Sequence, residues 1–374
     1  MTDAWVSPRN FLSPLAPRRL AERHHADLED AQVRAWNRGI LAFELQCRLV
    51  GARGWAATMR RNEWFQKRAA AQLKRLHDEG RLMNHALFAY SYAARSLLEL
   101  GRAWGLPTVL GQIDPGPVEE QIVGRLHKAE SSGRNSWQPA PPEYWQSWKR
   151  ECELADRILV NSDWSRQSLI EAGIDADKIM VAPLAFEPPA EAASFSRCYP
   201  DRFTAERPLQ LLFLGQVIVR KGIRELIEAM KLLEAEPVVL QVVGPNPGEV
   251  IPRPAANIQW LGAASRSQAM RYYRGADIFM FPTHSDGFGL TQLEAQAWKL
   301  PIISSRFCGE VVTHGRNGLV LDSIDARNIE RAVRTLLEQP EKLRAMSARS
   351  VDMEDYGLAA LRSRLDAVVS DIKG

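Results

Sequence analysis

From residue 209 onward the chain repeats one local pattern: a short apolar run ending in glycine or a turn, then a segment with helical spacing. "LQLLFLG" (209–215) precedes "KGIRELIEAMKLL", whose Ile223, Leu226, Ile227, Met230 and Leu233 share one helical face. "VVLQVVG", "IQWLG", "DIFMFP", "LPIISS" and "NGLVL" repeat the apolar run, and "RSQAMRYYRGA" reads as another of the intervening helices. Strands apolar on both faces and separated by helices point to a doubly wound parallel sheet, because crossover helices cover both sides. Ligands of such sheets lie beyond the carboxyl ends of the strands. Residues 215–222, 244–248, 262–265 and 283–290 all follow strand ends, so they are expected to converge on one crevice.

The other half reads as mostly helical to about residue 100, with strands at "PTVLGQI", "RILVNS" and "KIMVAP". "PAPPEYW" marks a loop, and "EPPAEAASFSRCYPDRFTAERP" a linker. The expected organisation is a first domain over 1–188, a linker over 189–208, a second domain over 209–352 and a C-terminal helix over 353–374 crossing back to the first domain. A chain of 374 residues with 45% hydrophobic and 25% charged residues has room for two ordinary domains. Cys47, Cys152, Cys198 and Cys308 stand far apart, which argues against a disulfide framework or zinc site and fits a reducing compartment. With no signal-like opening and no membrane-length apolar run, the chain is expected to be cytoplasmic. The net charge of +3 hides an asymmetry: residues 1–150 hold 22 Lys plus Arg against 15 Asp plus Glu, and eight of the 11 tryptophans. A basic, tryptophan-rich half suggests an anionic or interfacial partner, although a solvated charged surface is commoner.

"PTHSDGFGLTQLEAQAWKLP" (282–301) carries the densest chemistry. A strand end, Gly287 and Gly289, then a helix start present bare backbone N–H groups at the positive end of a helix dipole. That geometry receives phosphate or sugar oxygens, and glycines let the backbone come close. Glu294 lies two turns inside the helix, where a carboxylate accepts hydrogen bonds from sugar hydroxyls.

The spacing resembles the signature of retaining glycosyltransferases of the GT-B fold (the group 1, family 4 type), in which two glutamates are separated by seven residues around a G-F-G element. "SDGFGLTQLEAQA" matches it with Asp286 first and Glu294 second. "LLFLGQVIVRKGIRELIEAM" resembles the family's phosphate loop, "GEVVTHGRNGLVL" its E-(I/V)-V…G-x-x-G-L segment, and "ADRILVNSDWSRQSLIEAGIDADKIMVAPLAF" the last strands of its first domain. The resemblance implies an α/β chain of two Rossmann-like domains facing a central cleft, with a nucleoside-diphosphate sugar as donor and no resident cofactor. Lys221 matches the lysine that neutralises the donor diphosphate, which lets these enzymes work without a metal. Glu294 matches the glutamate on the nucleotide ribose, and Asp286 the acid facing the donor sugar. Gly287, Phe288, Gly289 and Leu290 would cradle sugar and phosphate with their backbone, beside Gly215 of the phosphate loop, while Leu261 and Gly262 match the turn that meets the base.

Three departures stand out. Gln216 replaces an arginine that pairs with the diphosphate, so Arg220 is the candidate to compensate. Asp286 is shorter than glutamate by about 1.5 Å of reach. "PTVLGQIDPG" aligns with a strand ending in His-Asp, so that Ile113 replaces the histidine, Gln112 is a new polar candidate, and Asp114 is either a catalytic acid or a turn former. His85 and His284 are further cleft candidates. The opening "MTDAWVSPRNFLSPLAPRRLAERHHADL" lacks the family's apolar first strand and glycine-rich loop, which leaves the first domain incomplete beside its relatives.

These residues predict transfer of a sugar from a nucleoside-diphosphate donor to an acceptor hydroxyl. The rivals are a nucleotide-sugar epimerase on the same fold and a degenerate, non-catalytic binding module. No nucleic-acid partner is expected. In residues 55–76 an apolar stripe of Trp55, Met59, Phe65, Ala69, Leu73 and Leu76 opposes Arg60, Arg61, Lys67, Arg68, Lys74 and Arg75. Trp64 falls within that basic face, which predicts either an ordinary surface helix or a peripheral contact with anionic membrane.

Overall fold

The computed structural model describes residues 1–4, 31–129, 137–249 and 255–373. The opening segment without a first strand falls almost wholly on residues 5–30, outside the described residues. The chain forms two compact units: residues 1–110 with 140–155, and residues 111–139 with 156–374.

The first unit holds helices Asn37–Leu49, Gly54–Asp78, Arg95–Ala103 and Pro142–Leu154, with strand β1 (Leu87–Tyr90) and most of β2 (Thr108–Gly111). Glu151 is fully buried and accepts the backbone N–H groups of Tyr92 (2.7 Å), Ala94 (3.0 Å) and Arg95 (3.1 Å). Its carboxylate thereby satisfies donors at the start of helix Arg95–Ala103 that no intrahelical carbonyl can reach. Along Gly54–Asp78 the apolar stripe turns inward as its spacing predicts, with Ala69 and Leu73 buried. Trp64 departs from expectation. Its ring packs against Phe43 at 5.3 Å and edge-on to Trp36 at 6.4 Å, with the Arg68 guanidinium 4.8 Å from the ring centroid. Periodicity assigns Trp64 to the polar side of its own helix, but helix Asn37–Leu49 and the residue before it supply an apolar lining on that side.

The second unit is built on a six-stranded sheet of β5 (Leu209–Leu214), β6 (Val238–Val243), β7 (Ile258–Gly262), β8 (Ile278–Phe281), β9 (Ile302–Ser304) and β10 (Gly318–Val320). Every pairing in it is parallel, in the order β10-β9-β8-β5-β6-β7. Alternate residues serve opposite faces. Leu209, Leu211 and Phe213 join Ile278 and Met280 under helices Ile223–Leu232 and Ala326–Glu338, in a core with Leu226, Met230, Ile329 and Val333. Leu212, Phe279 and Phe281 face the other way, onto Tyr273 of helix Arg266–Gly275 and Ala295 of helix Leu290–Ala297. Each fully buried Leu, Ile or Phe contributes about 1.5–3 kcal/mol relative to exposure, which is why the strands read as continuous apolar runs.

Chain order reverses between β5 and β8. From β5 the chain winds outward through β6 to β7, then returns to β8 and winds the other way through β9 to β10. Loops leaving β5 and β8 therefore diverge, and a crevice opens between them at the carboxyl ends. The same unit contains β3 (Arg157–Val160) and β4 (Ile179–Val181), paired in parallel. The C-terminal helix Leu358–Lys373 brings Asp371 to Arg157 at the start of β3.

Candidate active site

A pocket of about 270 Å³ lies at this reversal. Phe213, Leu214, Gly215 and Gln216 line it from the end of β5, Phe281 and Asp286 from the end of β8, Arg220 and Lys221 from the turn before helix Ile223–Leu232, and Thr291 from helix Leu290–Ala297. Gly215, Gln216, Arg220, Lys221 and Asp286 were expected together from sequence, although 65 residues separate Lys221 from Asp286. Thr291 was not singled out; it follows "GFGL" directly, and its place in the first helical turn is the signal that marks it.

Lys221 closes a single 3-10 turn, Val219–Lys221, and Gly222 follows with φ 73°. Val217, Val219 and Ile223 anchor that turn from inside, leaving Lys221 to cross the face of Phe281 with its Nζ 5.1 Å from the ring centroid. The β8 loop is tied to the same turn, since the backbone N–H of His284 (2.8 Å) and the Thr283 hydroxyl (3.1 Å) both donate to the Arg220 carbonyl. Nζ of Lys221 forms an ion pair with the Asp286 carboxylate, whose other oxygen accepts the Phe288 N–H at 3.2 Å. Burial, and then the neighbouring Arg220 charge, push the Lys221 ammonium down to about 7. Contact with the Asp286 carboxylate works against that shift, because an opposite charge favours the ammonium form.

Arg220 is engaged elsewhere. Its Nη1 donates to the Ser285 carbonyl (2.6 Å) and pairs with Glu119 (3.3 Å), and the Ser285 hydroxyl donates to the same Glu119 oxygen at 2.8 Å. Burial pushes the Glu119 carboxyl up, with the Arg220 charge opposing it. The charge that was to compensate for Gln216 is thus matched by a carboxylate from helix Pro117–Lys128, which nothing in the local sequence signals. Gln216 is exposed where the pocket opens.

Residues just after β3 hold the loop bearing Asp286. Ser162 and Ser165 donate their hydroxyls to the Gly287 carbonyl (2.5 and 3.2 Å), and Trp164 Nε1 donates to the Ser285 hydroxyl at 3.1 Å. Phe288 is buried with Leu293 and Val311, so only its backbone is available to a ligand. Gly289 caps the following helix at φ 82°, where an added Cβ would stand 2.5 Å from the Phe281 ring. Leu290 is 39% exposed.

The remaining candidates do not line the pocket, although Asp114 backs onto Gly287, where an added Cβ would stand 3.3 Å from its Cα. Asp114 accepts the Gly116 N–H (2.9 Å) and the Gln112 amide (3.0 Å) on one carboxylate oxygen, the arrangement of a turn former. Leu261 and Gly262 end the edge strand β7, two strands from β5, and do not line the pocket. Glu294 accepts the Tyr273 hydroxyl at 2.7 Å. His284 hydrogen-bonds Glu225 at 2.8 Å, and His85 is exposed with Nδ1 2.7 Å from the Met83 carbonyl.

The parallel sheet, its reversal and the ammonium at the crevice describe an anion-binding site at a topological switch point. Residues 200–352 match the family described as glycosyl transferases group 1. The chain is similar to the D-inositol 3-phosphate glycosyltransferase of Pseudarthrobacter chlorophenolicus, with 26% identity over 264 residues, which is 65% of this chain and 60% of that protein. The chain thus spans less than two thirds of that relative's length. The sucrose-phosphate synthase of Thermosynechococcus elongatus shares its fold at a TM-score of 0.60 and 18% identity, covering 83% of this chain and 78% of that one. HepE of Anabaena, solved in complex with UDP, does so at a TM-score of 0.57 and 14% identity, covering 81% and 82%.

Proposed function

We propose that the protein is a retaining, metal-independent glycosyltransferase that moves a sugar from a nucleoside-diphosphate donor to an acceptor hydroxyl. The observation that carries this reading is a half-buried lysine, Lys221, set against a carboxylate in the pocket between β5 and β8. Asp286 pairs with Lys221 where an anion would sit; the donor diphosphate would displace it and free Asp286 for the sugar. As the bond from the anomeric carbon to the diphosphate breaks, the acceptor oxygen bonds to that carbon on the same face. The acceptor proton passes to the departing phosphate oxygen. The protein orients the reactants and stabilises the leaving diphosphate through Lys221 and the Gly287–Leu290 backbone.

Calorimetric titration with UDP-, GDP-, ADP- and TDP-sugars, followed by NMR of the product anomer, tests this. UDP-sugars are expected to bind, HepE having been solved with UDP, and the product should keep the donor's anomeric configuration. No binding by any of the four, or an inverted product, would refute it. Asp286→Asn removes the competing carboxylate. It is expected to tighten free UDP by about three- to tenfold, the scale of one charge-assisted contact, while slowing transfer. Weaker UDP binding by this variant would show that Asp286 does not stand in for the diphosphate.

Among the described residues no helix is long and apolar enough to cross a membrane. The four thiols are free, which suits a reducing cytoplasm. Peripheral contact with anionic membrane through residues 55–76 belongs to the same proposal, since Arg60, Arg61, Lys67, Arg68, Lys74 and Arg75 are all exposed. With Trp64 packed on Phe43, the attraction would be electrostatic, about 1 kcal/mol per cation near the surface. Co-sedimentation should therefore show binding to anionic vesicles alone, lost at high salt and weakened by Lys67→Glu with Lys74→Glu. Equal binding to neutral vesicles, or none, would leave the helix as scaffold.

A further inference from the structure

We infer that Tyr273 is a positioning residue, holding the Glu294 carboxylate where it meets the ribose hydroxyls of the donor. The inference rests on the proposed nucleotide-sugar reading and on the ribose role that the resemblance implies for Glu294, and adds a residue that neither the G-F-G spacing nor the phosphate loop marks.

Tyr273 is 2% exposed, on helix Arg266–Gly275, and its ring packs at 5.7 Å from Phe279 of β8. A purely apolar role at such a position would suit phenylalanine. The hydroxyl instead donates to Oε2 of Glu294 at 2.7 Å, the one side-chain hydrogen bond given to Glu294 among the described residues. Burial, then the neighbouring Glu294 charge, raise the phenol well above its ordinary range, so it remains a donor at any working pH. The half-buried glutamate is left with one oxygen pinned and the other available to accept from a ligand.

The pin is itself held. Arg197 donates to the carbonyls of Tyr273 and Ala276, where the helix bearing Tyr273 ends, and to the Trp298 carbonyl (2.7 Å), just past the helix bearing Glu294. One guanidinium therefore fixes the C-terminal ends of both helices. A glutamate has three side-chain torsions to order on binding, and a preformed bond to Tyr273 removes most of that ordering from the binding step.

The test is calorimetry on the full chain with UDP and 2′,3′-dideoxy-UDP, for wild type, Tyr273→Phe, Glu294→Gln and the double variant. Tyr273→Phe is expected to weaken UDP about fivefold, the scale of ordering one side chain, and to leave the dideoxy nucleotide unchanged. Glu294→Gln should likewise act on UDP alone, and Tyr273→Phe should add nothing in the Glu294→Gln background. If Tyr273→Phe weakens both nucleotides equally, the tyrosine only packs and the inference fails. If Glu294→Gln discriminates between the nucleotides but Tyr273→Phe does nothing, positioning fails while the ribose role stands. If Glu294→Gln treats the two nucleotides alike, or neither binds, the ribose role itself is overturned.

Discussion

Lys221→Ala is expected to raise the dissociation constant for UDP or a UDP-sugar by about ten- to a hundredfold, the 1.5–3 kcal/mol of a hydrogen bond to a charged group. The size follows from the surroundings. Arg220 is matched by Glu119 and Ser285, and Gln216 carries no charge, so Lys221 is the pocket-lining cation left to meet a diphosphate. The same variant should change the pH dependence. Only the ammonium form offsets the diphosphate charge, and burial with the Arg220 charge pushes Lys221 down to about 7. Binding therefore takes up a proton once the free lysine has lost it, so wild-type affinity should fall as pH rises above about 7, by at most tenfold per pH unit. Below that value the lysine is already charged and contributes no slope. Titrations from pH 6 to 9 should show the difference between wild type and Lys221→Ala shrinking with rising pH, which also cancels the titration of the nucleotide itself. A constant difference across that range would mean that Lys221 stays protonated, and no difference would remove it from the site.

Gly222→Ala should destabilise the second unit by about 2–4 kcal/mol and weaken UDP binding together with it. Gly222 has φ 73°, and an added Cβ would stand 1.9 Å from the Pro282 carbonyl oxygen, which no side-chain rotation can relieve. Either the 3-10 turn carrying Lys221 or the β8 loop carrying Asp286 must shift, and the two are bonded through the Arg220 carbonyl. Gly275→Ala is the matched control: its Cβ would meet nothing within 4 Å and its φ is not positive, so it should be neutral or slightly stabilising. Urea unfolding followed by circular dichroism reads stability, and UDP titration of the folded variant reads the site. A Gly222→Ala protein as stable as Gly275→Ala would show that this turn yields at little cost.

Much of this protein is legible in its residues. The two-sided apolar runs at 209–214, 238–243 and 278–281 require a covered parallel sheet, since both faces of each strand avoid water. Gly287 and Gly289 between a strand end and a helix are a local pattern readable from a short window, whereas Gly215, Lys221 and Asp286 are marked by the resemblance of their motifs. Other features were not readable, because they depend on residues far apart in the chain. That Arg220 is neutralised follows from Glu119, 101 positions away, and that Glu294 is pinned follows from Tyr273 on another helix. Trp64 shows the same limit, since helical period fixes the face a residue occupies but not what packs there. The sequence by itself determined the elements, the crevice and the chemical character of its lining. Only the tertiary structure decided which charges are already paired, because pairing depends on distance in space, and a carboxylate within 4 Å changes a cation's role wherever it lies in the chain.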